Sequence, residues 1–226
     1  EVYFGPGSIS RLSKQIQRFG KRALLVTGGR SFLESPVADK LLRDFERDGI
    51  DSEHIRITGE PHPAVIDDAV KRWQSRLPDT VVAIGGGSAL DAGKAISAML
   101  HLDDSVKKYL EGVGTKTHPG TKVPFIAIPT TSGTGSEATK NAVISEIGVN
   151  GYKRSLRHTN FVPNVAIIDP ELTLTCPRPT TAASGMDAFT QLLESYLSTA
   201  ASPFTDVLAL EGLRRVARSL NRSYED

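Results

Sequence analysis

The 226-residue chain has the length of one large domain, or of one domain and part of a second. Its 39% hydrophobic and 23% charged residues can bury a core, and a formal charge of +1 gives no electrostatic footing for nucleic acid or an acidic membrane. Cys176 is the only cysteine, so no intrachain disulfide is available and a reducing, cytoplasmic setting is expected. No apolar run reaches transmembrane length, and the opening EVYFGPGSIS has neither the basic region nor the apolar core of a signal peptide.

Along the first half, helical and strand periods alternate. SISRLSKQIQRFG places Ile9, Leu12, Ile16 and Phe19 on one helical stripe, with Ser8 as its cap and Gly20 as its stop. ALLVTG then reads as a short strand buried on both faces. Val37, Leu41, Leu42 and Phe45 mark the next helix, HIRIT a strand, and AVIDDAVKRWQSRL a third helix. TVVAIGGG and SALDAGKAISAML form a further strand and helix, and VPFIAIPTT closes the series. Strands separated by amphipathic helices predict an α/β fold, a Rossmann-like doubly wound parallel sheet. Beyond Thr131, EATKNAVIS, YKRSLRHT and VAIIDP read as extended pieces at the edge of the sheet. From about Thr180 the pattern is helical, and SPFTDVLALEGLRRVARSL carries Ser202 and Pro203 where an N-cap and first helical residue belong. The expected division is an α/β domain over 1–175 and the start of an all-helical domain over 176–226.

Two turns carry chemistry. In AIGGGSALDAGKAI, Gly85, Gly86 and Gly87 stand between a strand and a helix, where free N–H groups and the positive helix end suit a pyrophosphate. Ser88 could cap that helix or donate to a phosphate oxygen. The spacing is not GxGxxG, so the common dinucleotide fingerprint does not apply. IPTTSGTGSEAT crowds Thr130, Thr131, Ser132, Thr134 and Ser136 beside the C-terminal end of an apolar strand, the edge at which open α/β sheets bind ligands. Thr134 and Glu137 also have capping-box spacing. Together the two turns point to a nucleotide-sized ligand. Further on, GMDAFTQLLESY sets Asp187 and Gln191 four residues apart on one helical face. By itself that pair reads first as a carboxylate near a helix start with an amide one turn later, since acids are common in first turns, and only second as the edge of a metal site.

GGGSALDAGKAI, PTTSGTGSEAT, VPNVAIIDPELT and AASGMDA, occurring in that order, resemble the iron-containing alcohol dehydrogenase family of the dehydroquinate synthase-like group. The resemblance implies an N-terminal domain binding NAD or NADP and a helical domain supplying ligands to a divalent metal, Fe(II) or Zn(II). It places Gly86, Gly87 and Ser88 on the pyrophosphate, with Ala89 beside them, and Thr130 and Thr131 near the adenine and ribose. Val143, Lys153 and Thr180 fall on cofactor-contacting positions, and His62 falls where the family often has an asparagine near the cofactor. The implied reaction is hydride transfer between a nicotinamide and an alcohol or its aldehyde or ketone, in a homodimer with no nucleic-acid or membrane partner. No residue stands out as a general base.

Two departures from the family pattern matter. Gly28 occupies a position where NAD-preferring relatives commonly carry an aspartate, which favours acceptance of NADP, with Arg30 nearby to pair with a 2′-phosphate. At the metal site the resemblance makes Asp187 a ligand, but Gln191 replaces a usual histidine, and none of the five histidines follows His158. An amide oxygen is a poorer ligand than imidazole for iron or zinc. Two other readings stay open: a dehydroquinate synthase-like or glycerol dehydrogenase-like enzyme, and a non-catalytic dinucleotide-binding fragment.

Overall fold

The computed structural model of the chain describes residues 1–29 and 32–225, so Arg30 lies outside the described residues. The chain divides into two compact units, one comprising Glu1–Thr130 and Ser136–Leu172, the other Thr131–Gly135 and Thr173–Asp226.

The first unit is built on a six-stranded parallel sheet. In chain order its strands are β1 (Val2–Phe4), β2 (Arg22–Thr27), β3 (Asp51–Arg56), β4 (Thr80–Gly85), β5 (Phe125–Pro129) and β8 (Val165–Ile168). Their spatial order is β1-β8-β5-β4-β2-β3. Each of β2, β4 and β5 alternates its side chains between two cores. Leu24, Val26, Val81, Ala83, Phe125 and Ala127 meet α3 (Pro63–Trp73) and α4 (Gly87–Met99) on one face. Ala23, Leu25, Val82, Ile84, Ile126 and Ile128 meet α1 (Leu12–Gln17) and α2 (Pro36–Asp48) on the other. Burial on both faces explains why these strands read as unbroken apolar runs. A separate antiparallel hairpin, β6 (Asn141–Glu146) with β7 (Tyr152–Arg157), adds Ala142, Ile144 and Leu156 to the α3/α4 core.

Several expectations need correction. Ser8 does not cap the first helix: Ser8–Arg11 is a 3-10 turn preceded by Gly7 in the left-handed region (φ 73°), and α1 itself is only Leu12–Gln17. VAIIDP is not an edge piece, because β8 lies between β5 and β1. The edge strand on that side is β1, too short to announce itself by periodicity. Its main chain is held against β8, and the 3-10 turn after it is tied down by buried Asp169, which accepts from the Gly7 and Ile9 amides at 3.2 and 3.0 Å. The other two extended pieces leave the main sheet altogether to form the β6–β7 hairpin.

The second unit contains α5 (Arg178–Leu197) and α6 (Pro203–Glu225). Gly185 admits Leu220 and Gly212 admits Leu192, so the helices run antiparallel with close contact at each glycine. The Ser202 hydroxyl accepts from the Thr205 amide at 3.3 Å, a local cap at the start of α6. Phe189, Leu192 and Leu193 suggest a core-facing stripe, yet no residue of α5 is buried and only Ala209 of α6 is. A two-helix hairpin has no interior of its own. Among the described residues no helix is long and apolar enough to cross a membrane.

Candidate dinucleotide site

The chain leaves β2 for β3 on one side and returns to β4 on the other, so β2 and β4 are neighbours from which the connections diverge. A crevice opens at such a switch point, at the carboxyl ends of the strands. Gly28 and the triple glycine both lie there. The Gly28 amide donates to the Ile84 carbonyl at 3.4 Å, and the Thr130 amide donates to the Gly85 carbonyl at 2.9 Å. Gly85 has no room for a side chain: a Cβ there would stand 2.7 Å from that of Ala89 and 3.2 Å from the Gly28 nitrogen. The turn is therefore closed on the sheet side, and Gly86, Gly87 and Ser88 are half-buried at its end.

Gly86 is the N-cap of α4, in extended conformation, and no side chain caps the first turn. Ser88 is the second residue of this helix rather than its cap. The Ala89 and Leu90 amides return to the Gly86 carbonyl at 3.0 and 3.1 Å. An uncapped start on a 13-residue helix presents backbone donors and the positive dipole end to whatever occupies the crevice. Gly93 sets the helix against the sheet, since a Cβ there would lie 2.7 Å from Ala83 Cβ and 3.1 Å from Phe125 Cε2.

Val143 and Lys153 come together on the β6–β7 hairpin. Val143 pairs with Ser155 and Ser145 with Lys153, so all four residues share the face opposite Ala142, Ile144 and Leu156. Val143 and Lys153 line a cavity of about 400 Å³ completed by Glu111, Gly112, Arg154 and Ser155. Lys153 is exposed but ion-paired. Its Nζ donates to Glu60 Oε1 at 2.8 Å, and the Ser145 hydroxyl donates to Glu60 Oε2. These two hydrogen bonds, Lys153 first, hold the Glu60 carboxyl below its ordinary range. His62 follows two residues later as the N-cap of α3 and does not line the cavity.

Thr131 and Thr180 belong to the second unit, where the Thr180 carbonyl accepts from the Ser184 hydroxyl at 2.7 Å. In the same unit, Asp187 lies in the middle of α5, because that helix begins at Arg178. The helix-start explanation for the carboxylate is thereby removed. Asp187 and Gln191 are both exposed, and Gln191 Nε2 donates to the Gly133 carbonyl at 3.2 Å. No group of three or more His, Cys, Asp or Glu side chains among the described residues could hold a metal. One carboxylate and one partly engaged amide do not make a site for iron or zinc.

Sequence reasoning passed over Asp91 and Lys94, which are both buried within α4. Their signal was available: two charges three residues apart in a helix otherwise made of small and apolar residues have no solvent face to occupy.

A family model described as iron-containing alcohol dehydrogenase matches residues 1–170, and one for the C-terminal part of the Fe-containing alcohol dehydrogenase family matches residues 181–226. An NADPH-dependent butanol dehydrogenase of Clostridium saccharobutylicum is 36% identical over 227 residues, covering 100% of this chain and 57% of the relative. A 1,3-propanediol dehydrogenase of Citrobacter freundii is 35% identical, covering 98% and 57%. Among solved structures, an iron-containing alcohol dehydrogenase from Thermotoga maritima superposes with a TM-score of 0.87 at 31% identity, covering 100% of this chain and 61% of that one. A 1,3-propanediol oxidoreductase gives 0.88 at 32%, covering 99% and 58%. The chain thus spans somewhat more than half the length of these relatives. With a family model matching three quarters of its residues and the doubly wound sheet in place, the chain belongs to the iron-containing alcohol dehydrogenase family.

Proposed function

We propose that the protein is an NAD(P)-dependent oxidoreductase that interconverts an alcohol and its aldehyde or ketone. The observation that carries this reading is the uncapped, glycine-lined start of α4 at the switch point between β2 and β4. The backbone donors of Gly86, Gly87 and Ser88, with the Ser88 hydroxyl, would hold a pyrophosphate, and Ala89 closes the turn beneath them. Thr130 and Thr131 would contact the adenosine end, as would Gly28. With the adenosine end given to Gly28 and the two threonines, Val143 and Lys153, which line one cavity, would meet the other half of the cofactor, and His62 and Thr180 would lie close to it. The nicotinamide, when bound, supplies or accepts the hydride. The role of the chain's own residues is to bind and orient that ring and to exclude water from it.

Residues 1–175 would then form the dinucleotide-binding domain and 176–226 the start of the metal-binding one. Asp187 and Gln191 offer two oxygen donors and need further ligands beyond the described residues. Gly28 supports acceptance of NADP, as does the name of the butanol dehydrogenase relative. A cytoplasmic homodimer acting on a small alcohol or aldehyde completes the reading.

The test uses the full-length protein, stripped of metal, with NADPH or NADH and a panel of short aldehydes before and after adding iron(II) or zinc. Coenzyme oxidation that depends on added metal is the expected result. Absence of coenzyme binding would refute the site itself. Binding without turnover would favour a second reading, a dinucleotide-binding protein without dehydrogenase chemistry, which the amide at position 191, a poorer ligand than imidazole, supports.

A further inference from the structure

Asp91 and Lys94 sit on successive turns of α4 and are 9% and 1% exposed. Lys94 Nζ donates to three main-chain carbonyls, those of Ser136, Thr139 and Asn141, at 2.7, 2.9 and 2.9 Å. It also reaches the hydroxyls of Ser136 and Thr139, at 3.2 and 3.1 Å. The Ser136 hydroxyl in turn donates to Asp91 Oδ1, and Asp91 Oδ2 accepts from the main-chain amide of Val143 at 3.1 Å. One pair of charges thus holds the chain from Ser136 to Val143 against the helix whose first turn is the pyrophosphate turn.

Such a pair is an expensive way to gain stability, since apolar residues of similar volume usually do as well. Burial pushes the Lys94 ammonium down to about 8, against the pull of Asp91 and Glu137, with Lys122 adding to the fall. Burial likewise raises the Asp91 carboxyl, opposed by Ser136, Lys94 and Val143. What the pair does that apolar packing would not is fix a distance. Val143 and Lys153 ride on the hairpin that Asp91 grips by its backbone, and Gly86 to Ser88 lie one turn N-terminal to Asp91 on the same helix. A ligand spanning both must find them at a set separation, and misplacement of a binding group by about 1 Å is costly.

We propose that Asp91 and Lys94 are positioning residues that set the spacing between the pyrophosphate turn and the hairpin carrying Val143 and Lys153. This rests on the dinucleotide reading above. It separates two kinds of ligand. ADP engages only the adenosine and pyrophosphate side, at the α4 turn; a whole dinucleotide must also reach the hairpin.

The experiment measures Kd for ADP and for NADPH by calorimetry on the full-length protein, wild type against D91N and S136A, with urea melts alongside. D91N removes the charge and, with its oxygen kept by the Val143 amide, turns a donor toward Ser136, whose hydroxyl must then accept rather than donate. S136A removes the bridging hydroxyl while leaving the Ser136 carbonyl for Lys94, and is the milder variant should D91N fold poorly. The expected result is NADPH binding weakened about tenfold with ADP binding changed less than about twofold. Parallel losses for both ligands in step with stability would mean a purely structural pair and would overturn the proposal. Unchanged NADPH binding in folded variants would overturn it too. If wild type binds neither ligand, the dinucleotide reading falls and takes this proposal with it.

Discussion

Replacing Gly28 by aspartate tests the cofactor reading at a single atom position. A Cβ at Gly28 meets only Ala89 Cβ, at 3.8 Å, and the residue is half-buried with no left-handed backbone to protect. The folded state therefore accepts the side chain, and stability should change by no more than about 0.5 kcal/mol. The new carboxylate would face the adenosine ribose. Two unit charges about 5 Å apart repel by about 3 kcal/mol at an effective dielectric near 20. Salt and partial exposure reduce this to about 1.5 kcal/mol against a 2′-phosphate, or about tenfold in Kd for NADPH. A ribose 2′-hydroxyl instead gains a hydrogen bond of about 1 kcal/mol, about fivefold in favour of NADH. Titration of both coenzymes into G28D should therefore move their Kd ratio by about fiftyfold toward NADH. A ratio that stays put in a folded variant would refute the placement of the ribose beside Gly28, whichever coenzyme the wild type prefers.

Other consequences are equally direct. Gly93→Ala drives a Cβ to 2.7 Å from Ala83 and 3.1 Å from Phe125, so α4 must lift from the sheet; the expected loss is about 1–3 kcal/mol in urea unfolding, despite the better helix propensity of alanine. Glu60 is held below its ordinary range by Lys153 and Ser145, so the unfolded chain takes up the proton first as pH falls. The Glu60 contribution is thus present above the unfolded carboxylate value and lost as pH falls through the lower folded one. The Tm difference between wild type and E60Q should accordingly shrink on acidification, and a difference that grows below pH 4.5 would contradict the pairing. Gln191→His should strengthen zinc binding by the full-length protein at least about tenfold, measured by competition with a chelator, since imidazole suits the ion better than an amide. No gain would place the metal away from Asp187.

Much of the fold is legible in the residues because local and global preferences agree. The apolar runs RALLVT, TVVAIG and FIAIP are strands buried on both faces, and the amphipathic stretches between them are helices, so the α/β class follows from periodicity alone. The glycine-rich turn before α4 is readable for the same reason, as only glycine fits at position 85, where a Cβ would meet Ala89 and the Gly28 backbone. Periodicity is silent on pairing, however. It does not tell that VAII enters the sheet between β5 and β1 while NAVISE and YKRSLR leave it, because strand order is chosen by which faces remain to be covered. Nor does it show that Asp187 lies in mid-helix, since AASGMDA carries no strong start signal and the helix begins at Arg178. Above all, the partners of Asp91 and Lys94 lie more than forty residues away in sequence. The sequence by itself determined the α/β class, the elements of the parallel sheet and the turn that suits a pyrophosphate. Only the tertiary structure decided which strands are neighbours and what the buried charges hold, because hydrogen bonds between distant segments leave no periodic trace in either one.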